Sequence, residues 1–230
     1  KSPIIDTCGT GGDGANTFNI STAAAFVVAG CDIAVAKHGN KAISSKTGSA
    51  DVLSALGVNI DAPLELIRES LWSHNIGFFM APRHHGAMKH VGPTRTELGT
   101  RTIFNLLGPL SNPTATKRQL VGVYDQKWCL PIAEVFGKLG AEHVWVVHGM
   151  DGMDELTISG PSFVACYNLG ELTSFEVTPE DANLKQRNIE DLRGGDAVTN
   201  SKEILALLNG KQSAYQDIVV LNAAATFTGT

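Results

Sequence analysis

The sequence predicts an α/β fold, a mixed and mostly parallel central sheet flanked by helices. Short apolar runs of strand length alternate along the chain with segments of helical length, the pattern of an α/β sheet. Polar and glycine-rich clusters stand where several of those runs end, and open α/β sheets bind ligands beyond the carboxyl ends of their strands. The 230 residues, 43% hydrophobic and 18% charged, suffice to bury a substantial core.

The candidate strands are Ile33–Ala36, Gly77–Ala81, Leu120–Tyr124 and Val144–His148. The Ala-rich stretch Asn19–Ala29 reads as a helix, with Ser21 and Thr22 placed to cap its free N–H groups. Further helices are expected at Ser49–Leu56, ended by Gly57, and at Leu64–His74, opened by Pro63. Arg101–Leu107 stops at Gly108-Pro109, and Ile132–Leu139 stops at Gly140. Phe163–Leu169 and Leu172–Val177 form a hairpin turning at Gly170-Glu171. A polar stretch from Glu180 to Asn200 leads into helices at Lys202–Leu208 and from Ala214 onward.

Composition narrows the function. A net charge of −5 argues against a general nucleic-acid surface, which needs a basic face. Cys8, Cys31, Cys129 and Cys166 are scattered and form no C-x-x-C pair, so reduced cytosolic thiols are expected. The longest apolar stretch, Ala23 to Cys31, is about half of a membrane span. A soluble, cytoplasmic protein is expected. An anion site must therefore be built locally, from backbone N–H groups and a few placed cations.

Four clusters carry chemistry. The first is Cys8-Gly9-Thr10-Gly11-Gly12-Asp13-Gly14, followed by Asn19-Ile20-Ser21-Thr22 at a helix start. Glycines let N–H groups close on a phosphate, and a helix N-terminus favours anions. Gly9, Gly11 and Gly14 also match G-x-G-x-x-G, with Asp32 downstream. But Asp32 precedes its strand, where a ribose-binding acid should close it, so the dinucleotide reading ranks lower. The second cluster, Lys37-His38-Gly39-Asn40-Lys41 and then Ser44-Ser45-Lys46-Thr47-Gly48-Ser49, follows a strand and offers cations and neutral donors to pyrophosphate. The third is Asp154-Glu155 in a glycine-rich loop, adjacent carboxylates that suit Mg²⁺. The fourth, Arg83 to His90 with Arg95 and Arg101 beyond, offers three histidines without the acid or Cys that would complete a zinc site. It is expected to wall a pocket, with an Arg meeting an acidic substrate.

In order, these clusters resemble the anthranilate phosphoribosyltransferase family. The resemblance rests on Gly9-Thr10-Gly11-Gly12-Asp13, Asn19-Ile20-Ser21-Thr22, Lys37-His38-Gly39-Asn40 and Ser49-Ala50-Asp51. It continues through Arg101-Thr102-Ile103-Phe104-Asn105-Leu106-Leu107-Gly108-Pro109-Leu110, Asn112-Pro113 and Gly152-Met153-Asp154-Glu155. It implies that residues 1–230 form a nucleoside phosphorylase/phosphoribosyltransferase-type catalytic α/β domain. The implied reaction is Mg²⁺-dependent transfer of phosphoribosyl from phosphoribosyl pyrophosphate to anthranilate, in tryptophan biosynthesis.

By the same resemblance, Gly9, Gly12, Asp13, Thr17, Asn19, Ile20, Ser21, Thr22, Lys37, His38, Gly39, Asn40, Lys41, Ala42, Ile43, Ser44, Ser45 and Ser49 line the phosphoribosyl pyrophosphate site. Gly9, Asn40 and Arg95 face anthranilate, Ser21, Asp154 and Glu155 correspond to Mg²⁺ ligands, and Lys37, Asp154 and Glu155 carry catalysis. The partners implied are small-molecule substrates, with no nucleic acid and no membrane. The family also carries an N-terminal helical domain that forms a homodimer contact and lines the anthranilate channel. That domain and the last C-terminal segment are expected to be absent here, so a dimer is expected of full-length members and not of this chain alone. Two rivals weigh less. Pyrimidine nucleoside phosphorolysis needs a Lys-Ser-Thr-Gly-Gly-type loop, and a catalytically silent, nucleic-acid-binding paralogue predicts a basic surface without Asp154-Glu155.

Overall fold

The computed structural model describes residues 3–42, 46–84, 86, 90–91, 94, 97–98 and 102–228. Its strands are β1 (Ile4–Gly9), β2 (Ala34–Gly39), β3 (Ile76–Met80), β4 (Arg118–Gly122), β5 (His143–Gly149), β6 (Ser162–Asn168) and β7 (Glu171–Val177). The helices are α1 (Ile20–Gly30), α2 (Ser49–Ala55), α3 (Leu64–Ser73), α4 (Ala81–His84), α5 (Ile103–Leu107), α6 (Cys129–Lys138), α7 (Ala197–Leu208) and α8 (Ala214–Phe227). One seven-stranded sheet runs β3-β2-β1-β4-β5-β6-β7. Its first five strands are parallel, and β6 and β7 add an antiparallel edge.

The sheet buries both faces, which is why its central strands read as continuous apolar runs instead of alternating ones. On one face α1 and α8 pack over Val35, Leu120, Val147 and Val164, joined by Ile204 and Leu207 of α7. On the other, Ile132 and Phe136 of α6 cover Val121, Val144 and Val146, while Ile67 and Leu71 of α3 cover Ala34 and Ala36. Three of the four alanines of α1, Ala23, Ala24 and Ala25, are wholly buried. They keep that helix thin enough to lie between the sheet and α8, and each fully buried Ile or Val around them contributes about 1.5–3 kcal/mol.

Several boundaries differ from the sequence expectation, each for a physical reason. Ser21 and Thr22 do not cap α1. Asn19 is its N-cap and makes no side-chain cap bond. The N–H of Ser21 goes instead to the Glu155 carboxylate. The helix expected from Lys202 begins at Ala197, because the Asp196 side chain caps it by accepting from Thr199 N–H at 2.8 Å. The hairpin turns at Leu169-Gly170, one residue earlier than expected, since both have positive φ and Asn168 pairs with Glu171. β1 is a full strand that the polar letters Asp6 and Thr7 hid, and both are buried.

Candidate active site at the switch point of the sheet

The chain runs outward from β1 through β2 to β3, then returns to lay β4 on the far side of β1. This reversal opens a crevice beyond the carboxyl ends of β1 and β4, the usual ligand position in open α/β sheets. Gly9 ends β1 and pairs with Gly122 at the end of β4. Both must be glycine. A Cβ on Gly122 would run into the Asp154 carbonyl, and one on Gly9 into the Asp154 carboxylate. The loop after β5 therefore lies directly on the two strand ends.

The glycine loop folds over the same spot. Gly11, Gly12 and Gly14 take φ of +64°, +79° and +78°, a region costly for other residues. Thr10 N–H donates to Gly122 O at 2.9 Å, and Gly11 N–H donates to Asp154 Oδ2 at 2.7 Å. Asp13 ties this loop together: Oδ1 accepts Ala15 N–H at 3.2 Å and Oδ2 accepts Asp154 N–H at 3.5 Å. An acid in a phosphate-type loop thus has a mechanical reason, since it fastens the glycine loop to the acidic one.

Lys37 enters from β2. It is buried, and its Nζ donates to Thr7 O at 2.6 Å and to Ser21 Oγ at 3.3 Å. Glu155 Oε1 accepts Ser21 N–H at 3.2 Å, so Ser21 stands between the cation and the carboxylate. The other oxygen, Oε2, is buried with no hydrogen-bond partner among the described residues. Burial raises the pKa of Glu155 and of Asp154, and the nearby charge of Asp13 raises both further. Lys37 opposes the shift at Glu155, and Gly11 N–H opposes it at Asp154. Burial lowers the pKa of Lys37, with the charge of Asp6 pulling the other way.

This corner is short of positive charge. Among the described residues no group of three or more His, Cys, Asp or Glu is arranged to hold an ion alone. The donors present are hard oxygens, one of them an unpartnered carboxylate oxygen. That set fits Mg²⁺, which usually takes one or two carboxylates and completes its shell with water and substrate phosphate.

The second loop is anchored at both ends. Asp51 Oδ2 accepts Ala42 N–H at 2.8 Å and Gly48 N–H at 2.9 Å. Asn40 O accepts Ser49 Oγ at 3.3 Å and Ala50 N–H at 3.1 Å, and Asn40 Oδ1 accepts Lys41 N–H at 2.8 Å. Gly39 lies against Ser49 and Phe78, where a Cβ would collide. His38 is buried, and its N–H donates to Asp6 Oδ1 at 3.3 Å.

Of the residues expected to line the site, Ile20 and Thr22 are 1% exposed. Thr17 is engaged in a backbone bridge with Arg193. Ile43, Ser44, Ser45 and Arg95 lie outside the described residues, as do His85 and Arg101. In the fourth cluster Arg83 Nη1 donates to Ala62 O at 2.8 Å, and His84 packs on Phe79. Asp32, of the dinucleotide reading, precedes β2 at the far end from the crevice and accepts from Asn75 Nδ2 at 3.3 Å.

Several supports of the site escaped the sequence. Asp6 Oδ2 accepts Asn112 Nδ2 at 2.7 Å beneath β2. Asp151 Oδ2 accepts Thr157 Oγ1 at 2.6 Å and Ser159 Oγ at 2.5 Å, shaping the acidic loop from within. Asn222 on α8 accepts Leu156 N–H at 3.1 Å and donates to Leu156 O at 2.9 Å, gripping the residue after Glu155. The one usable signal was polar letters inside apolar strand and helix patterns, as at Asp6 and Asn222.

The profile of the glycosyl transferase family, a/b domain, matches residues 1–229. The anthranilate phosphoribosyltransferase of Paramagnetospirillum magneticum is 63% identical over 96% of this chain and 64% of its own length. That of Azospirillum brasilense is 61% identical over 96% of the chain and 62% of its own length. The chain thus spans a little under two thirds of these curated relatives. The crystal structure of anthranilate phosphoribosyltransferase from Thermus thermophilus superposes with a TM-score of 0.93 at 44% identity, covering 100% of this chain and 68% of that one. The Saccharomyces cerevisiae enzyme, solved in complex with PRPP and Mg, gives 0.87 at 29% identity, covering 98% and 64%. The crevice at the β1–β4 reversal therefore lies in a chain that belongs to the glycosyl transferase family, a/b domain, among the anthranilate phosphoribosyltransferases.

Proposed function

We propose that the protein carrying this chain transfers a phosphoribosyl group from phosphoribosyl pyrophosphate to the amine of anthranilate, with Mg²⁺, in tryptophan biosynthesis. One observation carries the reading: Lys37, Ser21 and Glu155 converge at the switch point, with one Glu155 oxygen bonded to Ser21 N–H and the other unpartnered. The names of the relatives, and the PRPP and Mg in the Saccharomyces cerevisiae complex, support the choice of substrates.

In this reading the glycine loop and the start of α1 hold phosphate through backbone N–H groups. Ser21, Asp154 and Glu155 hold Mg²⁺, which when bound offsets negative charge on the pyrophosphate. Lys37 holds its ammonium against Thr7 O and Ser21 Oγ, placed to stabilise charge growing on the leaving oxygen. The C1′–O bond breaks with its electron pair going to pyrophosphate, the amine lone pair forms the N–C1′ bond, and the nitrogen then loses a proton. An aromatic amine is nucleophilic without deprotonation, so positioning and leaving-group stabilisation suffice. Arg95, outside the described residues, is the partner proposed for the anthranilate carboxylate. A cytoplasmic site of action fits four free cysteines and the absence, among the described residues, of a helix long and apolar enough to cross a membrane. A homodimer is proposed for the whole protein.

The test mixes the whole protein with anthranilate, phosphoribosyl pyrophosphate and Mg²⁺ and follows anthranilate consumption. Turnover that vanishes when any one is omitted is expected. No consumption, with phosphorolysis of thymidine or uridine instead, overturns the assignment.

A further inference from the structure

Four residues from three separate segments close a ring of hydrogen bonds beside the glycine loop. Asn19 Nδ2 donates to Thr47 O at 3.1 Å, and Thr47 Oγ1 donates to Gly195 O at 3.0 Å. Gly195 N–H donates to Asn200 Oδ1 at 2.8 Å, and Asn200 Nδ2 donates to Asn19 Oδ1 at 3.0 Å, which closes the circuit. Thr47 is 8% and Asn200 1% exposed. The ring fixes both amides, because turning either one over sets acceptor against acceptor and donor against donor. Buried polar groups left unmatched in this way are costly.

The ring joins three segments. Asn19 is the N-cap of α1 behind the glycine loop, Thr47 lies in the segment between β2 and α2, Gly195 lies just before α7 and Asn200 in its first turn. That third segment also runs along the first. Phe18 N–H donates to Leu192 O and Gly194 N–H to Asn16 O, both at 2.9 Å, around the Thr17–Arg193 bridge. A Cβ on Gly194 would come within 2.6 Å of Thr17 O, so only glycine lets the strands lie this close. Tyr215 OH completes the support by donating to Asn19 O at 3.1 Å.

Phosphoribosyl pyrophosphate carries anionic groups at both ends of its ribose, so it needs two anion-binding loops held at a set separation. We propose that Thr47 and Asn200 are positioning residues for this substrate, setting the gap between the glycine loop and the start of α2 through Asn19 and Gly195. The proposal rests on the reading of the site given above. Lys37, Asp154 and Glu155 are held by other bonds, to Thr7, Gly11 and Ser21. Opening the ring should therefore disturb capture of the two-ended substrate more than the chemical step.

The experiment uses the whole protein and the variants Thr47→Val, Asn200→Ala and their double, with phosphoribosyl pyrophosphate varied at saturating anthranilate and Mg²⁺. Each single variant is expected to raise the KM for phosphoribosyl pyrophosphate about 5- to 10-fold, the span of one or two neutral hydrogen bonds, with kcat held within about 2-fold. A ring needs only one cut, so the double variant should exceed the worse single by no more than about 2-fold. Amide hydrogen exchange without ligand should speed up at Phe18 and Gly195 in both singles. Multiplying effects in the double, a fall in kcat at unchanged KM, or unchanged exchange overturns the proposal. If Asn200→Ala does not fold, Thr47→Val decides by the same KM and exchange readouts. A wild-type protein that ignores phosphoribosyl pyrophosphate refutes the functional reading instead, and exchange still reports on the brace.

Discussion

The N–H of Ser21 meets Glu155 Oε1 at 3.2 Å, joining the first turn of α1 to the loop after β5 across 134 positions of sequence. The bond holds one carboxylate oxygen, and the other meets no donor among the described residues. Glu155→Gln keeps an acceptor for Ser21 N–H but removes the charge, so the fold should survive while cation binding does not. kcat/KM is expected to fall by at least about 10²-fold, the scale of losing one strong electrostatic stabiliser. Steady-state kinetics across a Mg²⁺ titration checks this, and near-normal turnover at ordinary Mg²⁺ would sink the metal assignment.

Gly122 and Gly14 are both glycine for different reasons, and substitution should separate them. A Cβ on Gly122 collides with the Asp154 carbonyl, whereas one on Gly14 meets nothing within 4 Å but must adopt φ +78°. Gly122→Ala forces backbone against backbone and should cost about 3 kcal/mol or more, with activity lost as Asp154 is displaced. Gly14→Ala bears only the conformational penalty, about 1–2 kcal/mol. Denaturant midpoints of the two variants, measured side by side, give the ordering; equal losses would mean that the acidic loop does not rest on β4.

The contrast between these glycines shows what the sequence could carry. β3 and β5 were legible because their buried faces left apolar runs, and the glycine loop because φ > 0 leaves a compositional mark, whereas β2 and β4 showed only in part, since Lys37-His38 continues β2 and Arg118-Gln119 opens β4. Asp6 and Thr7 made β1 illegible, since a buried acid held by His38 N–H and Asn112 looks in one dimension like a loop residue. Ser21 read as a cap because its letter suits one; only the fold shows Glu155 occupying its N–H. Asn200 read as the end of a polar stretch and Asn222 as an ordinary polar helix position, because their partners Asn19 and Leu156 lie 181 and 66 residues away.

Asn222 should prove a stability residue with a functional echo. Its amide accepts Leu156 N–H and donates to Leu156 O and Ile218 O, all buried. Asn222→Asp keeps the acceptor but sets a carboxylate against two carbonyl oxygens. Leaving such groups unmatched should cost about 2–4 kcal/mol, read as a lower urea midpoint. Because Leu156 adjoins Glu155, the Mg²⁺ concentration needed for half-maximal activity should rise as well. A variant as stable as wild type would show that α8 does not hold the acidic loop.

Asp13, Asp154 and Glu155 crowd one corner, and burial, with the nearby charge of Asp13, raises the pKa of the latter two. A cation that enters relieves this strain, yet among the described residues no cluster of acids and histidines is arranged to hold one alone. Mg²⁺ by itself should therefore stabilise the whole protein only slightly. Pyrophosphate alone brings negative charge towards the acidic corner and should also do little. Together they supply both the cation and its missing oxygen ligands. Binding to the native state at about 100 times Kd then contributes about 2.7 kcal/mol, which raises Tm by several degrees. Thermal melts with Mg²⁺, with pyrophosphate and with both measure the three increments. The joint increment should exceed the sum of the separate ones in wild type and shrink to that sum in Glu155→Gln. Equal joint increments in wild type and variant would place the cation elsewhere and remove Glu155 from its ligands.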